Sequence, residues 1–404
     1  MTYFIGLDWS EQKHDLCILS QDGRPLSYLT IEHSPQGLAC LGETLNQLGI
    51  HPKQCLVALE THHNLIVDSL LAQGFTLYII PPKAVSRYRD RHRRSRSRSD
   101  RADAFVLANI LRTDRHLHTP YYPDGHLTCQ IRAQVRLIRW LDKHIKRFGN
   151  QLRTLLLRYY PQAVGLFSDS TCPTYLEFLI SYPSPRDAQA LSFEEFTRFC
   201  REHHFTQRRK WSEMSLRLQG QFLEVEPGLM EIYAGQVRTM ASLLLPIVKA
   251  RNEAFKRLRE LYERHPDHGI FSSLPGVGLI LGASLLAKFG DRRERFTSPE
   301  VVQALAGTCP VTSGSGKKKV VRFRRACDKE FRHIMQQMAR NSIEKSGWAK
   351  AYFEEVYRRC GYKSQAYRCL ANRWVGIIWK MWQDRKPYDE AYHLSQIARR
   401  GRKR

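Results

Sequence analysis

The sequence predicts an α/β domain, then a helical middle with a coiled-coil-like seam, then a mostly helical last third. Three observations carry this. Short apolar runs with hairpin chemistry and strand–helix alternation fill the first hundred residues. From Leu127 the apolar period changes to three- and four-residue steps. Leu274-Pro275-Gly276-Val277-Gly278 then opens a further series of helical segments. At 404 residues the chain exceeds one ordinary compact domain, and at 42% apolar it can bury real cores, which excludes disorder throughout.

Tyr3 to Leu7 is a short apolar run that ends at Asp8, and Leu16 to Leu19 is a second. Gln21-Asp22-Gly23-Arg24 carries hairpin turn chemistry, and Leu26 to Ile31 continues as a third strand. Residues 35–48 follow a helical period through Leu38, Leu41, Leu45 and Leu48. Cys55 to Leu59 reads as a buried strand ending at Glu60. A short helix follows, and then a strand from Phe75 to Ile80, stopped by Pro81-Pro82. Such an order fits a mixed sheet with helices packed on it. Ser86 to Arg98 holds seven arginines and a single acid, Asp90, and reads as a loop or a segment ordered by binding. Ser99-Asp100 supplies a cap and a first-turn acid for a helix.

Leu127, Ile131, Val135, Ile138, Leu141, Ile145, Phe148, Leu152 and Leu155 mark a long amphipathic helix. A second runs from about Leu229 to Tyr262, with Pro246 as an expected kink, and the two are expected to pair as an antiparallel hairpin. Residues 161–215, rich in Pro, aromatics and charge, look like an insertion between them. Pro275-Gly276-Val277-Gly278 makes a tight turn between helices, and later helices are expected near 299–306, 328–345, 349–359 and 364–383. Trp374, Trp379 and Trp382 sit at helical spacing and read as core. The domains expected are 1–120, 121–265, 266–390 and a disordered basic tail, 391–404.

Sixty-four Lys and Arg against 39 Asp and Glu leave a net charge of +25. Such an excess repels itself unless an anionic partner is present; nucleic acid is the first candidate and an anionic membrane the second. No apolar stretch is long enough for a membrane span, and the opening MTYFIGLDWS lacks a signal-peptide pattern, so a cytoplasmic location is expected. The ten cysteines include no CxxC pair and suit a reducing compartment, as small core hydrophobes. No histidine or cysteine set has zinc-finger spacing.

Four carboxylates stand out. Asp8 and Glu60 each end an expected strand, while Asp100 and Asp103 share one helix face. Two strand-end acids plus a helical pair suit a two-metal phosphodiester site, in which hard oxygen ligands hold Mg²⁺ ions about 4 Å apart. The spacing also fits plain turn residues and a helix N-terminal acid. A second feature is the small-residue loop Ala306 to Lys317, followed by Lys318, Lys319, Arg322, Arg324 and Arg325. A serine flanked by glycines there can approach a phosphate closely, although Ser-Gly loops are commonly linkers. Basic clusters at Arg87, Arg91, Arg93, Arg94, Arg96 and Arg98, and at Lys317 to Arg325, are candidate nucleic-acid contacts, or else solvated faces. Tyr88 and Phe323 interleave with them as possible base-stacking rings.

Gly6-Leu7-Asp8, Leu59-Glu60-Thr61 and Asp100-x-x-Asp103-Ala104 followed by Leu107-Ala108 resemble the DEDD motif of the IS-one-ten (IS110) insertion-sequence transposases. Leu274 to Gly278, Ala306-Gly307 and Pro310 to Gly316 resemble that family's C-terminal domain, and the family is similar to the Piv-type DNA invertases. The resemblance spans about residues 1–385. It implies a RuvC-like (RNase H-type) first domain, a coiled-coil middle and a C-terminal transposase domain. It also implies that Asp8, Glu60, Asp100 and Asp103 bind Mg²⁺ and that Ser315 is the nucleophile, with Ser313 the near competitor. RNA-guided recombination is implied too: a bridge RNA pairs with target and donor DNA, and the protein assembles as a dimer to tetramer. With acids and serine some two hundred residues apart, a composite active site is expected. Two other readings remain at this point, a metal-dependent junction nuclease and a non-catalytic nucleic-acid-binding protein.

Overall fold

The computed structural model describes every residue except 62–64, 93–98, 168, 316–317 and 402–404. It divides into two compact units, Met1–Pro123 and Asp124–Arg404.

In the first unit five strands form one sheet: β1 (Tyr3–Trp9), β2 (Lys13–Leu19), β3 (Pro25–Glu32), β4 (Cys55–Leu59) and β5 (Thr76–Ile79). The strand order is β3-β2-β1-β4-β5; the first three are antiparallel, while β1, β4 and β5 run parallel. Gly23 takes the left-handed conformation that the β2–β3 turn requires. The helices are α1 (Pro35–Gln47), α2 (Leu65–Ala72), α3 (Pro82–His92) and α4 (Asp100–Asp114). Strand alternation sorts the apolar residues onto two faces. Ile5, Leu7, Leu16, Ile18, Val57 and Leu77 pack with Leu41 and Leu45 of α1 and Ile66 and Leu70 of α2. Phe4, Cys17, Leu19, Ala58 and Tyr78 pack with Val85 of α3 and with Ala104, Leu107, Ala108 and Leu111 of α4.

The Arg-rich stretch departs from expectation, because residues 82–92 are helical. Val85 is buried against α4, and the Tyr88 hydroxyl accepts a hydrogen bond from Asn109 Nδ2 at 2.7 Å. Those two anchors, three residues apart, supply the helical period that the arginines mask. Tyr88 is therefore a packing residue rather than a base-stacking one. Arg93, Arg94, Arg96 and Arg98 lie outside the described residues.

The second unit is helical apart from one hairpin. Its long helices are α5 (His126–Tyr159) and, after the shorter α6 (Pro173–Ser181), α7 (Pro185–Gln189), α8 (Phe193–Glu202) and α9 (Trp211–Gln219), α10 (Pro227–Glu263). α10 continues through Pro246. The pair is antiparallel: Gln134 Nε2 donates to the Ala254 carbonyl at 3.0 Å, and Arg251 Nε donates to Asp142 at 3.0 Å. Ile145, Leu152 and Leu156 join Val237, Ala241 and Leu244 in a core completed by α6 to α9, including Phe178, Phe196 and Trp211. Residues 161–215 thus supply the cover for the far end of the helical pair. The apolar seam of the two long helices is buried within this one chain. Each large side chain so buried contributes about 1.5–3 kcal/mol.

The near end of the pair, Ile131 to Leu141, shares a second core with the remaining helices. These are α11 (His268–Ser272), α12 (Leu279–Phe289), α13 (Pro299–Leu305), α14 (Lys329–Ser342), α15 (Gly347–Cys360) and α16 (Lys363–Asp384), with α17 (Glu390–Gly401) following outside that core. Trp374 and Trp382 are fully buried, and Trp379 Nε1 donates to the Phe296 carbonyl at 2.9 Å, so the tryptophans are core as expected. The expected basic tail is helical as far as Gly401. Ser346 Oγ donates to Glu390 at 2.9 Å and Trp348 packs on the His393 ring, which fasten the first turn of α17. Cys17, Cys55 and Cys200 are buried as small hydrophobes, whereas Cys40 and Cys129 are exposed. Among the described residues no helix is long and apolar enough to cross a membrane.

Asp291 ties the start of α5 to the end of α12. It accepts from the Gly125 N–H at 2.6 Å and from Thr128 Oγ1 at 2.5 Å, and it pairs with His265 Nε2 at 3.2 Å. Burial works to raise its carboxyl, but these hydrogen bonds outweigh burial and hold it at about 2. A depressed acid contributes stability that is complete above its unfolded value, near 4, and lost as pH falls toward 2. Asp291→Asn is expected to lower the unfolding free energy by about 2 kcal/mol at pH 7. The variant should also flatten the loss of stability between pH 4 and 2, as read from urea midpoints at each pH.

Candidate active site

Gly6 makes the site possible. A Cβ there would stand 1.9 Å from the Ala104 carbonyl oxygen and 2.5 Å from the Ala108 nitrogen, so α4 lies directly on β1. Ser99 caps α4, its side chain accepting from the Ala102 N–H, which starts the helix at Asp100. Asp100 and Asp103 therefore occupy the first turn of the same face that sends Ala104, Leu107, Ala108 and Leu111 into the sheet. Asp8 shares the strand parity of Phe4 and Gly6, and Glu60 that of Ala58, so both carboxylates stand on the α4 side.

The acids are near enough to shift one another's titration. Burial, then the charges of Asp103, Asp100, Glu60 and Asp15, push the Asp8 carboxyl up to about 6. Burial also raises Glu60; Arg89 opposes this and Asp103 reinforces it. Asp8 thus feels the other three acids expected from the sequence, and Glu60 feels Asp103. Among the described residues, no three acid, His or Cys side chains are drawn close enough to hold a metal as they stand. The donor set nevertheless fits a hard divalent cation. It is all carboxylate oxygen, carries mutual repulsion, and includes a half-buried acid, Asp8, that a cation would relieve.

Two residues at this site were missed from sequence. Asp15 pairs across the antiparallel ladder with Asp8 and accepts from Thr30 Oγ1 at 2.6 Å. Its signal was the hairpin itself, which sets residues 8 and 15 opposite. Arg89 reaches Asp103 at 2.8 Å. Nothing in the pattern distinguished it from its neighbours, because only the orientation of α3 turns it inward while Arg87 and Arg91 stay exposed.

Gly6→Ala should displace α4, since the clash is with backbone that cannot rotate away. A loss of at least about 3 kcal/mol in the first unit is expected, together with loss of metal binding. Thermal melts with and without Mg²⁺ check this; an unshifted melt and intact metal binding would refute the close-approach argument.

In the second unit, the stretch expected to be a small-residue loop is half of a β-hairpin. β6 (Val311–Ser315) pairs antiparallel with β7 (Lys318–Arg322), setting Ser315 opposite Lys318 and Ser313 opposite Val320. β-branched Val311 and Thr312 face Arg322 and Val321 across the ladder, and this pairing overrides the flexibility of the glycines. Lys317 lies outside the described residues. Arg322 and Arg325 are exposed, and Val320 and Val321 are unusually open for β-branched residues. The Phe323 ring is exposed and flanked by cations. The guanidinium groups of Arg332 and Arg368 lie 4.6 and 4.9 Å from its centroid, so the phenyl group organises two cations that the sequence reading did not single out.

Comparison with known proteins decides the family. Residues 5–161 match a family model described as a transposase of the DEDD, IS110 type, and residues 268–354 match the model for the transposase IS116/IS110/IS902 family. The mini-circle transposase for IS117 of Streptomyces coelicolor is 31% identical over 96% of this chain and 96% of its own. The chain belongs to the IS110 family of transposases. This transposase also resembles a 44.8 kDa protein of insertion element IS116 from Streptomyces clavuligerus, 21% identical over 98% of both chains. A 42 kDa protein of insertion element IS900 from Mycobacterium paratuberculosis is 22% identical over 81% of the transposase. It is thus a DNA strand-transfer enzyme, and the family's DEDD acids imply use of a divalent metal. All four acids that converge in the first unit fall within the first matched segment, and Ser313 and Ser315 fall within the second.

Proposed function

We propose that this transposase cuts and rejoins DNA through a phosphoserine intermediate, guided by a structured RNA, with Mg²⁺ as its metal. The observation that carries the reading is the placement of Asp8, Glu60, Asp100 and Asp103 on one side of β1 and α4, with the Asp8 carboxyl raised first by burial and then by the charges of the other three. The strand order of the first unit supports a RuvC-like domain, and the antiparallel α5–α10 pair supports a coiled-coil middle. The four acids would hold the metal, which when bound stabilises negative charge on phosphate and leaving oxygens. Ser315 attacks the scissile phosphorus; a new P–O bond to the serine forms as the bond to one DNA oxygen breaks, and the serine proton passes through solvent to that oxygen, which leaves as a hydroxyl. The freed hydroxyl of another DNA strand then attacks the phosphoserine, re-forming a diester and returning the proton to the serine oxygen. Each step exchanges one P–O bond for another, so no nucleotide triphosphate is consumed. The basic excess, with Arg87 and Arg91 on α3 and Lys318, Lys319, Arg322, Arg324 and Arg325 in and after β7, suits target DNA, donor DNA and guide RNA together. Dimer-to-tetramer assembly around both DNAs belongs to the same reading.

The test is the nucleic acid that travels with the purified protein. One non-coding RNA of defined length is expected, and RNA-free protein should bind DNA without site preference. DNA affinity should fall steeply with salt, with a log–log slope near −7 if about eight phosphates are neutralised. A flat salt response, or site-specific DNA binding by RNA-free protein, would overturn guidance.

A further inference from the structure

Arg89 is the arginine of α3 that points into the acid cluster. Val85, one helical turn earlier, is buried on α4, and Tyr88 is hydrogen-bonded to Asn109, which sets the rotation of α3. Arg89 Nη2 then meets Asp103 Oδ1 at 2.8 Å, with the two side chains only 19% and 21% exposed. The contact is an ion pair rather than an aligned hydrogen bond. Arg89 Nε and Asp103 Oδ1 are both buried with no hydrogen-bond partner. The bidentate fork that makes an Arg–carboxylate pair durable is therefore absent. Glu60 also feels the Arg89 charge.

A cation in that place has a consequence for any other cation. Asp103 cannot give the same oxygen fully to a guanidinium and to a divalent ion. A doubly charged ion among the acids would also repel a guanidinium a few ångströms away. The misaligned pair, with a guanidinium donor and a carboxylate acceptor left unspent, is built to be exchanged. We propose that Arg89 is the resident counter-cation of the DEDD acids. It neutralises Asp103 while the site is metal-free and surrenders it when a divalent cation arrives, leaving the guanidinium to face the phosphodiester held there. Arg89 is thus a positioning residue that acts through Asp103, and it couples metal loading to the basic helix that carries it. This rests on the reading of the four acids as the metal site.

The experiment is calorimetric titration of the full chain with Mg²⁺, and with Mn²⁺ as a second probe, in the absence of DNA. Wild type, Arg89→Gln, Arg89→Lys and Asp8→Asn are compared, with circular dichroism to show that each is folded. Arg89→Gln is expected to bind metal roughly fivefold more tightly than wild type, because the competitor is gone. Its metal-free melting temperature should be lower, and Mg²⁺ should shift that temperature more than in wild type. Arg89→Lys should fall between the two. A strut that merely fastens α3 to α4 would give the opposite result, weaker binding on removal. If wild type binds metal in a manner abolished by Asp8→Asn, yet Arg89→Gln binds no more tightly, exchange is overturned and the metal site stands. If neither wild type nor Arg89→Gln shows binding that Asp8→Asn removes, the metal site falls, and the exchange falls with it.

Discussion

Asp8→Asn is expected to reduce DNA cutting by at least about 10³-fold while leaving RNA and DNA binding intact. A neutral amide is a poor ligand for a hard cation, and loss of metal stabilisation of an oxyanion is worth several kcal/mol. The same substitution carries a second signature specific to this site. Without metal, burial of Asp8 and then the charges of Asp103, Asp100, Glu60 and Asp15 raise its carboxyl to about 6. An acid with a raised folded-state value favours the folded state when protonated, and its ionisation destabilises the fold as pH rises through 4 to 6. At pH 7 the charge is present and opposed by its neighbours. Asp8→Asn should therefore melt a few degrees higher than wild type without metal, roughly as 1 kcal/mol would shift a domain of this size, and should gain nothing from Mg²⁺. Paired melts with chelator and with Mg²⁺, alongside a cleavage assay, read both effects. A variant that cuts normally, or that melts far below wild type in chelator, would remove Asp8 from the metal site.

Ser315→Ala should assemble with RNA and DNA yet yield no covalent protein–DNA adduct and no recombinants. A serine hydroxyl is a weak nucleophile without a metal, a base or positive surroundings. Lys318, opposite Ser315 in the hairpin register, and Lys319 place two lysines in the partner strand close to that backbone. Ser313, two positions earlier and opposite Val320, lacks such a partner, and Ser313→Ala should retain at least part of the activity. Adduct trapping on denaturing gels distinguishes the two. Loss of the adduct in Ser313→Ala but not in Ser315→Ala would move the nucleophile to Ser313. Cutting without any adduct in either variant or in wild type would favour water as the nucleophile and a junction-nuclease chemistry.

Much of the first unit was legible because its signals are local. Apolar runs ending at Asp8 and Glu60, a turn at Asp22-Gly23 and a Ser99 cap each depend on a few adjacent residues, and the sheet and α4 follow from them. The two long helices were legible for a related reason: a 3.6-residue period sustained over thirty residues has no competing interpretation. The errors have physical causes as well. In α3 the helical signal is Val85 and Tyr88 alone, outnumbered by arginines, and only docking against α4 stabilises it. In β6 the glycines and serines have the composition of a linker, and only pairing with β7 makes them a strand. In α17 the basic end hid a helix fastened through Glu390 and His393.

By itself, the sequence determined the α/β-then-helical order, the polyanionic character of the partner, the four acids and the family. Residue type, period and motif order carry that information without reference to distant contacts. Only the tertiary structure decided which arginine enters the acid cluster and that Asp15 stands beside Asp8. It also decided that Phe323 is taken up by Arg332 and Arg368, and that the α5–α10 seam is spent within the chain. Each of these depends on the rotation of one helix about its axis or on the register of one strand against another. Packing between elements far apart in the chain sets those two quantities, and the local pattern leaves them undetermined.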